Sequence, residues 1–158
     1  MSIPNDFYTD YNQIIDNLYV GNERSARDFE PNKMTLVVNC TKDIPFQAKS
    51  PIKIRLPVDD TPQESLRLYN YMYNMRVLEE IHHCLFSNKS VLVHCKMGIQ
   101  RSCAVVACYL IKYYNFTPRQ AVFFVKNKRP IAFDEGIVNF IDTLKMVYKE
   151  KTRNTYYV

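Results

Sequence analysis

Glycine is scarce in this chain of 158 residues: only three are present, at positions 21, 98 and 136. Average usage predicts about eleven glycines in a chain of this length. No low-complexity tract, internal repeat or linker is visible, and 47% of the residues are hydrophobic and 23% charged. The composition therefore indicates a single globular domain over residues 1–158, long enough to bury a core.

The chain also lacks any apolar run that approaches the roughly 18 residues of a membrane span. Its first residues, Met1–Asp6, contain neither the basic segment nor the apolar segment of a signal peptide. Five cysteines are present, an odd number, and no two of them are spaced as CxxC. We therefore expect free thiols in a reducing compartment and predict a cytoplasmic location.

Acidic residues are in the minority, 16 against 21 lysines and arginines, so the formal net charge is +5. This excess favours an anionic partner, which could be phosphorylated protein, nucleic acid or a membrane surface. No five or six basic residues follow one another, which weakens the nucleic-acid interpretation. His82 and His83 have no third ligand nearby in the sequence, so no metal site is expected. The composition leaves a homodimer open.

The most informative stretch joins an apolar β-branched run, Val91–His94, to a long apolar run that begins after Arg101. This pattern predicts a buried strand, a tight loop and a buried helix over residues 102–114. The loop starts with Cys95 and ends, six residues later, with Arg101. A sulfur nucleophile and an arginine at the two ends of one loop suit the binding and the attack of an oxyanion.

The remaining segments predict an α/β fold with a small central, mostly parallel sheet that helices flank on both faces. The predicted strands are a strand-turn-strand unit at 14–21, then 34–40, 52–58 and 91–94. The predicted helices are 23–29, 61–86, 102–114, 117–126 and a last one that Asp134 caps, with an apolar stripe at Ile137, Ile141, Leu144 and Tyr148. Residues 1–13 are expected to form a lead-in segment and residues 150–158 a polar tail.

Two of the predicted helices start with the spacing of a capping box. Thr61 precedes Glu64 by three residues, and Thr117 precedes Gln120 in the same way. Proline occupies the first helical position in both cases, where its missing N–H costs nothing. We therefore expect sharply defined starts for both helices.

The cysteine-to-arginine spacing is a weak signal by itself. With five cysteines and nine arginines, chance supplies such a pair roughly 0.3 times in a chain of this length. However, one of only three glycines falls inside the loop, one of only three histidines precedes the cysteine, and a serine follows the arginine. Together these features reduce the probability of a chance match to roughly one in a hundred thousand or below.

The chemistry of phosphate explains the spacing. A loop between a strand and a helix turns its backbone N–H groups inward, and the helix N-terminus adds partial positive charge. Arg101 would close this ring with a planar, bidentate guanidinium, and the same field would favour the thiolate of Cys95. The thiolate would then attack phosphorus, with no metal or cofactor. The predicted phosphate-binding residues are Lys96, Met97, Gly98, Ile99, Gln100 and Arg101.

The leaving oxygen needs a proton, and Asp59-Asp60 at the end of a predicted strand is the best candidate for the acid. Adjacent carboxylates at such a place can equally form a solvated turn or a helix cap, so the residues alone leave this open. Ser102 could hydrogen-bond the sulfur, cap the helix, or do both. His94 is predicted to be structural, with its ring bonded to the loop backbone.

Cys103 and Cys108 follow the loop on the apolar helix and are predicted to be core thiols. The alternative for Cys103 is a protective disulfide with Cys95 under oxidation.

These residues resemble the signature of the dual-specificity protein phosphatases, a family of cysteine-based tyrosine phosphatases: His94-Cys95-x-x-Gly98-x-x-Arg101-Ser102. The resemblance covers most of the chain, through the segments 15–22, 37–41, 56–61, 107–110 and 121–125. Residues 58–61 are also similar to those of the poxvirus-encoded members. The resemblance implies the cysteine phosphatase fold, with a shallow pocket, and metal-independent hydrolysis of phosphotyrosine and phosphoserine/threonine in protein substrates. It implies that the second carboxylate, Asp60, is the acid.

Two alternatives stay open beside this function: a phosphoinositide or RNA 5′-phosphatase, and a phosphate-binding module without catalysis. The chain departs from the family pattern at four positions. Gln100 stands where a small residue is common, Met97 where alanine is frequent, Cys103 where the usual residue is small, and Asp134 where asparagine is frequent. The first three of these changes are expected to alter pocket width and substrate preference.

Overall fold

A computed structural model describes residues 9–28, 34–47 and 52–156 of the protein. Its five strands are β1 (Tyr11–Ile15), β2 (Leu18–Gly21), β3 (Met34–Asn39), β4 (Ile52–Arg55) and β5 (Ser90–His94). The described residues form six α-helices, namely α1 (Glu23–Asp28), α2 (Ser65–Asn74), α3 (Val77–Phe86), α4 (Arg101–Tyr114), α5 (Pro118–Lys128) and α6 (Ile141–Tyr156). Short 3-10 helices occupy Pro62–Glu64 and Asp134–Gly136.

The strands form one sheet in the order β1-β2-β5-β3-β4. Only the β1–β2 pair is antiparallel, and the pairs β2–β5, β5–β3 and β3–β4 are parallel. The prediction of a small, mostly parallel sheet is confirmed. In the parallel register His94 lies opposite Gly21 on one side and Asn39 on the other. The carboxyl ends of three strands therefore meet beside residue 95.

The two faces of the sheet are covered unequally. Val91 and Val93 of β5 belong to the large core under helices α2 to α6, whereas Leu92 packs with Val37 and Ala26 under α1. Because β5 is buried on both faces, it is a continuous apolar run. Helix α4 is buried from residue 102 to residue 111, which accounts for the long apolar run after the loop.

The predicted helix over 61–86 is wrong as a single element, because it breaks after Asn74 into α2 and α3. Arg76 adopts a left-handed conformation with φ of 53° and turns the chain between them. Helix α2 packs on α6, whereas α3 packs on α4 and the sheet. One straight helix cannot lie on both surfaces, so packing overrides the helical periodicity.

The two predicted capping boxes have different outcomes. At Thr117 the box is complete: its hydroxyl accepts from Gln120 N at 3.2 Å, and Gln120 Oε1 accepts from Thr117 N at 2.9 Å. At Thr61 the prediction is wrong, since its side chain makes no capping bond to the short helix. Glu64 Oε1 accepts instead from the backbone N of Asp59 at 3.3 Å.

The predicted start of the last helix at Asp134 is also wrong. Phe133, Glu135 and Gly136 all have positive φ, so the short turn at 134–136 cannot continue as an α-helix. Helix α6 begins at Ile141, and Ile137 lies before it with half of its side chain exposed. At the other end, the helix continues to Tyr156, so residues 150–156 are not a frayed tail.

The predicted lead-in segment 1–13 is too long, because β1 already begins at Tyr11. The strand predicted over 52–58 is too long as well, since β4 ends at Arg55. Three parts of the predictions fall outside the described residues: the end of the first helix at Phe29, the last two residues of the tail, 157–158, and the lead-in before residue 9. Within the described ranges, no helix has the length and apolar character needed to cross a membrane.

Candidate active site

The loop between β5 and α4 places Cys95 at the centre of the site. Its side chain is only 2% exposed. The Cys95 sulfur lies 3.2 Å from the backbone N of Gly98 and 3.2 Å from the hydroxyl oxygen of Ser102. Both groups can donate a hydrogen bond to the sulfur when it acts as the nucleophile.

The carbonyls of the loop are turned outward and held by the surrounding protein. Lys96 O accepts from Glu23 N at 3.1 Å, and Ile99 O accepts from Phe133 N at 3.0 Å. Gly98 O accepts from Arg129 Nε at 2.7 Å. Because a trans peptide directs its N–H opposite to its carbonyl, the N–H groups that follow these carbonyls face the inside of the loop. This makes an anion-binding concavity around the sulfur.

Gly98 is required by both conformation and space. Its φ is +68°, in the left-handed region that side chains rarely adopt. A Cβ there would lie 2.6 Å from Arg129 Nη2 and 2.7 Å from the carbonyl carbon of Gly21. The tight turn predicted at this glycine is confirmed.

Arg129 is a residue of the site that the sequence did not reveal. It is completely buried, and besides Gly98 O it donates through Nη1 to Thr9 O at 3.0 Å and to Asn12 Oδ1 at 2.8 Å. Burial lowers the pKa of its guanidinium, while the nearby Cys103 and Cys95 sulfurs act in the opposite direction. The chain offers no signal for this role, since Arg129 follows two other polar residues at a helix end.

Arg101 is the first residue of α4, one position earlier than the predicted helix start at residue 102, and it connects two loops. Its Nη1 donates to Val58 O at 3.1 Å, which brings the segment carrying Asp59 and Asp60 next to the Cys95 loop. Its Nε is buried and has no hydrogen-bond partner among the described residues. A buried guanidinium N–H without an acceptor fits a phosphate oxygen as its partner.

The two adjacent aspartates have different surroundings. Asp59 Oδ2 pairs with Lys42 Nζ at 2.8 Å, and this hydrogen bond lowers the pKa of Asp59. Asp60 instead accepts from the amide of Asn139, at 2.9 Å to its Oδ1. A carboxylate held ionised by lysine is a poor proton donor, so the geometry favours Asp60 as the acid.

His94 and Ser102 flank the site on its buried side. His94 Nδ1 lies 3.3 Å from Cys95 O, and since a carbonyl only accepts, this nitrogen carries the proton. Burial lowers the pKa of His94 and keeps the ring neutral. Ser102 Oγ lies near both the Cys95 sulfur, at 3.2 Å, and Gly21 O, at 3.5 Å. The structure thus places His94 against the loop backbone and Ser102 beside the sulfur.

Two further thiols lie close to the loop. Cys103 is buried, and its sulfur points to Gly98 O at 3.5 Å. Cys40 follows β3 and donates its backbone N–H to His94 O at 2.8 Å. Burial raises the pKa of both thiols, so they stay protonated near neutral pH. All five cysteines are free, and Cys108 is buried in the core as predicted.

The side chains at the rim of the loop are those of Lys96 and Met97, and the methionine is 60% exposed. Gln100 contributes its backbone to the loop, but its side chain is turned away toward residues 137–139. Across the described parts of the chain, no three histidine, cysteine or carboxylate side chains are grouped as a metal site.

Comparison with known proteins agrees with this geometry. The family model described as dual specificity phosphatase, catalytic domain, matches residues 18–150. A protein of Invertebrate iridescent virus 6, whose name describes a tyrosine phosphatase, is 32% identical over 122 residues that cover 77% of this chain and 81% of the relative. Mouse dual specificity protein phosphatase 14 is 30% identical over 75% of this chain and 60% of its own length.

Solved structures give the same result. The crystal structure of human DUSP28 superposes with a TM-score of 0.80 at 25% identity, covering 91% of this chain and 96% of that chain. The chain therefore belongs to the dual specificity phosphatase family, and it has the cysteine phosphatase fold and the protein phosphatase function of that family.

Proposed function

We propose that this protein hydrolyses phosphotyrosine and phosphoserine/threonine in protein substrates through a phosphate ester of Cys95. The observation that carries the proposal is the position of the Cys95 sulfur, 3.2 Å from the Gly98 N–H inside a loop whose carbonyls point outward. The inward N–H groups and Arg101 surround the site where the three equatorial oxygens of phosphorus would lie. They supply the positive charge that a metal supplies in other phosphatases.

The reaction has two steps. In the first, the Cys95 thiolate forms an S–P bond while the P–O bond to the leaving group breaks, and Asp60 gives its proton to the leaving oxygen. In the second, water attacks phosphorus, the S–P bond breaks, and Asp60 takes the proton from the water. Ser102 then donates its hydroxyl to the departing thiolate, as its 3.2 Å distance from the sulfur allows.

The role of Cys95 is tested with 4-nitrophenyl phosphate and phosphopeptides in the presence of EDTA. We expect turnover in EDTA and its complete loss in Cys95→Ser, because a hydroxyl at this position is not ionised. Cys84→Ala is the matched control, since Cys84 is an equally buried thiol on α3, outside the site. Full activity of Cys95→Ser, or faster release of phosphate from phosphoinositides or triphosphorylated RNA than from phosphopeptides, would refute the proposal.

The role of Asp60 is tested against that of its neighbour. We expect Asp60→Asn to lower kcat/KM for phenyl phosphate by about 100-fold or more, the usual contribution of a general acid. Asp59→Asn is the control and should stay within about threefold, because it removes only an exposed ion pair with Lys42. The reverse ranking would reassign the acid to Asp59.

The buried free thiols are also consistent with a reducing environment, which supports our proposal of a cytoplasmic location. A tagged protein that fractionates with an oxidising compartment would contradict it.

A further inference from the structure

Gln100 uses both ends of its side-chain amide to hold one backbone segment. It is only 7% exposed, and its Nε2 donates to Ile137 O at 2.7 Å. Its Oε1 accepts from the backbone N of Asn139 at 3.0 Å. The segment 137–139, which lies between the turn at 134–136 and helix α6, is thereby fixed to the phosphate-binding loop.

The side chain of Asn139 extends from this fixed segment to the candidate acid. Its Nδ2 donates to Asp60 Oδ1 at 2.9 Å, and a longer contact of 3.5 Å reaches Asp60 O. Asp60 is exposed, so without such a partner its carboxyl group could rotate among several orientations. The contact joins residues 79 positions apart in the chain.

We propose that Asn139, held in place by Gln100, is a positioning residue for the proton transfer made by Asp60. This proposal rests on the role of Asp60 as the general acid. A donor on Oδ1 leaves Oδ2 as the oxygen that carries the proton, and it also fixes the plane of the carboxyl group. Proton transfer needs this oxygen within hydrogen-bond reach of the leaving group, so a fixed carboxyl group raises the rate.

The segment that carries Asp60 is also held by Arg101, whose Nη1 donates to Val58 O at 3.1 Å. Two adjacent residues of the phosphate-binding loop therefore hold the segment of the acid in place. They are Gln100 and Arg101, and each uses a separate contact. One contact acts on the backbone before Asp60 and the other, through Asn139, on its carboxyl group. This arrangement gives Gln100 a function at a position where the family resemblance leads us to expect a small residue.

The test compares Asn139→Ala with the unchanged enzyme on two substrates that differ in their need for an acid. Phenyl phosphate has a poor leaving group that must be protonated, whereas 2,4-dinitrophenyl phosphate has a good one that leaves as the anion. We expect kcat/KM to fall about tenfold for phenyl phosphate, which is less than the roughly 100-fold or more that the acid itself contributes, and to change less than about twofold for the dinitrophenyl ester. Asn70→Ala, at an exposed position of α2, is the matched control.

A double-mutant cycle shows whether the effect passes through Asp60. Asn139→Ala should cost nothing further in an Asp60→Ala background. An equal loss on both substrates, or losses that add in the cycle, would overturn the positioning role, as would unchanged activity of Asn139→Ala on phenyl phosphate. If Asp60→Ala itself leaves phenyl phosphate hydrolysis intact, the acid assignment fails instead, so the two failures are distinguishable.

Gln100→Ala extends the test to the first contact in the series from Gln100 through Asn139 to Asp60. We expect the same selective loss on phenyl phosphate, with competitive inhibition by vanadate retained because the loop backbone still binds the oxyanion. The Asn139 variants decide the proposal if Gln100→Ala does not fold, since Asn139 is only half buried.

Discussion

At the scale of single residues, Arg129 connects the phosphate-binding loop to the segment before β2. It is fully buried, and its guanidinium reaches Gly98 on one side and Thr9 and Asn12 on the other. Removing it would leave the Gly98 carbonyl without its 2.7 Å donor, and an unsatisfied buried group costs about 1–3 kcal/mol.

We therefore expect Arg129→Met to lower the free energy of unfolding by about 2 kcal/mol or more, measured by urea denaturation. We also expect Arg129→Lys to lose phosphatase activity, because a single ammonium group cannot reproduce the planar array of N–H donors of the guanidinium. Arg119→Lys, an exposed change on helix α5, which ends just before Arg129, is the control and should be neutral. Full stability and activity of Arg129→Lys would show that only its charge matters.

Residue by residue, the sequence predicted the part of the site that is local. Cys95, Gly98, Arg101 and Ser102 fall within eight consecutive positions, and the apolar runs on either side of them predict a strand, a loop and a helix. Asn139 contacts Asp60, which is 79 positions away in the sequence, and Arg129 contacts Gly98, which is 31 positions away. Nothing in their own neighbourhoods distinguishes them from solvated polar residues, so only the folded structure reveals them.

At the scale of elements, the break between α2 and α3 shows where local patterns fail. Neither glycine nor proline marks it, and the apolar spacing continues across it. The capping box at Thr117 was predictable because all its partners lie within four residues. The break is imposed by packing, and Arg76 accepts a left-handed conformation that costs most residues about 1–2 kcal/mol.

Glycine should relieve this strain. We expect Arg76→Gly to raise the free energy of unfolding by up to about 1 kcal/mol, because glycine adopts positive φ without steric cost. Asn70→Gly, in the regular part of α2, should lower the free energy of unfolding by about 0.5 kcal/mol. Chemical denaturation of both variants is the measurement. A destabilised Arg76→Gly would mean that the arginine side chain contributes more than its backbone costs.

At the scale of the whole molecule, the buried histidine makes stability depend on pH. Burial lowers the pKa of His94 below its ordinary value of 6.5, so the unfolded chain takes up this proton more readily than the folded protein. The contribution of His94 to stability is therefore fully present above pH 6.5 and is lost as the pH decreases through that value, until the folded pKa is reached.

We expect His94→Asn to flatten this fall in unfolding free energy below about pH 6.5. Asparagine keeps a donor near the position of Nδ1 but has no titrating group. His83→Asn is the control, because His83 is exposed on α3. A pH dependence that His94→Asn leaves unchanged would assign the fall to other groups.

The hydrogen bonds of Arg129 also limit how far the chain can be truncated from its N-terminal side. The family match begins at residue 18, so a fragment trimmed to that position would retain the whole signature. It would nevertheless lack Thr9 and Asn12, the two acceptors that hold the outer end of Arg129. The catalytic unit thus extends upstream of the boundary that similarity assigns to it. A protease that removed β1 would inactivate the enzyme without altering any residue of the signature.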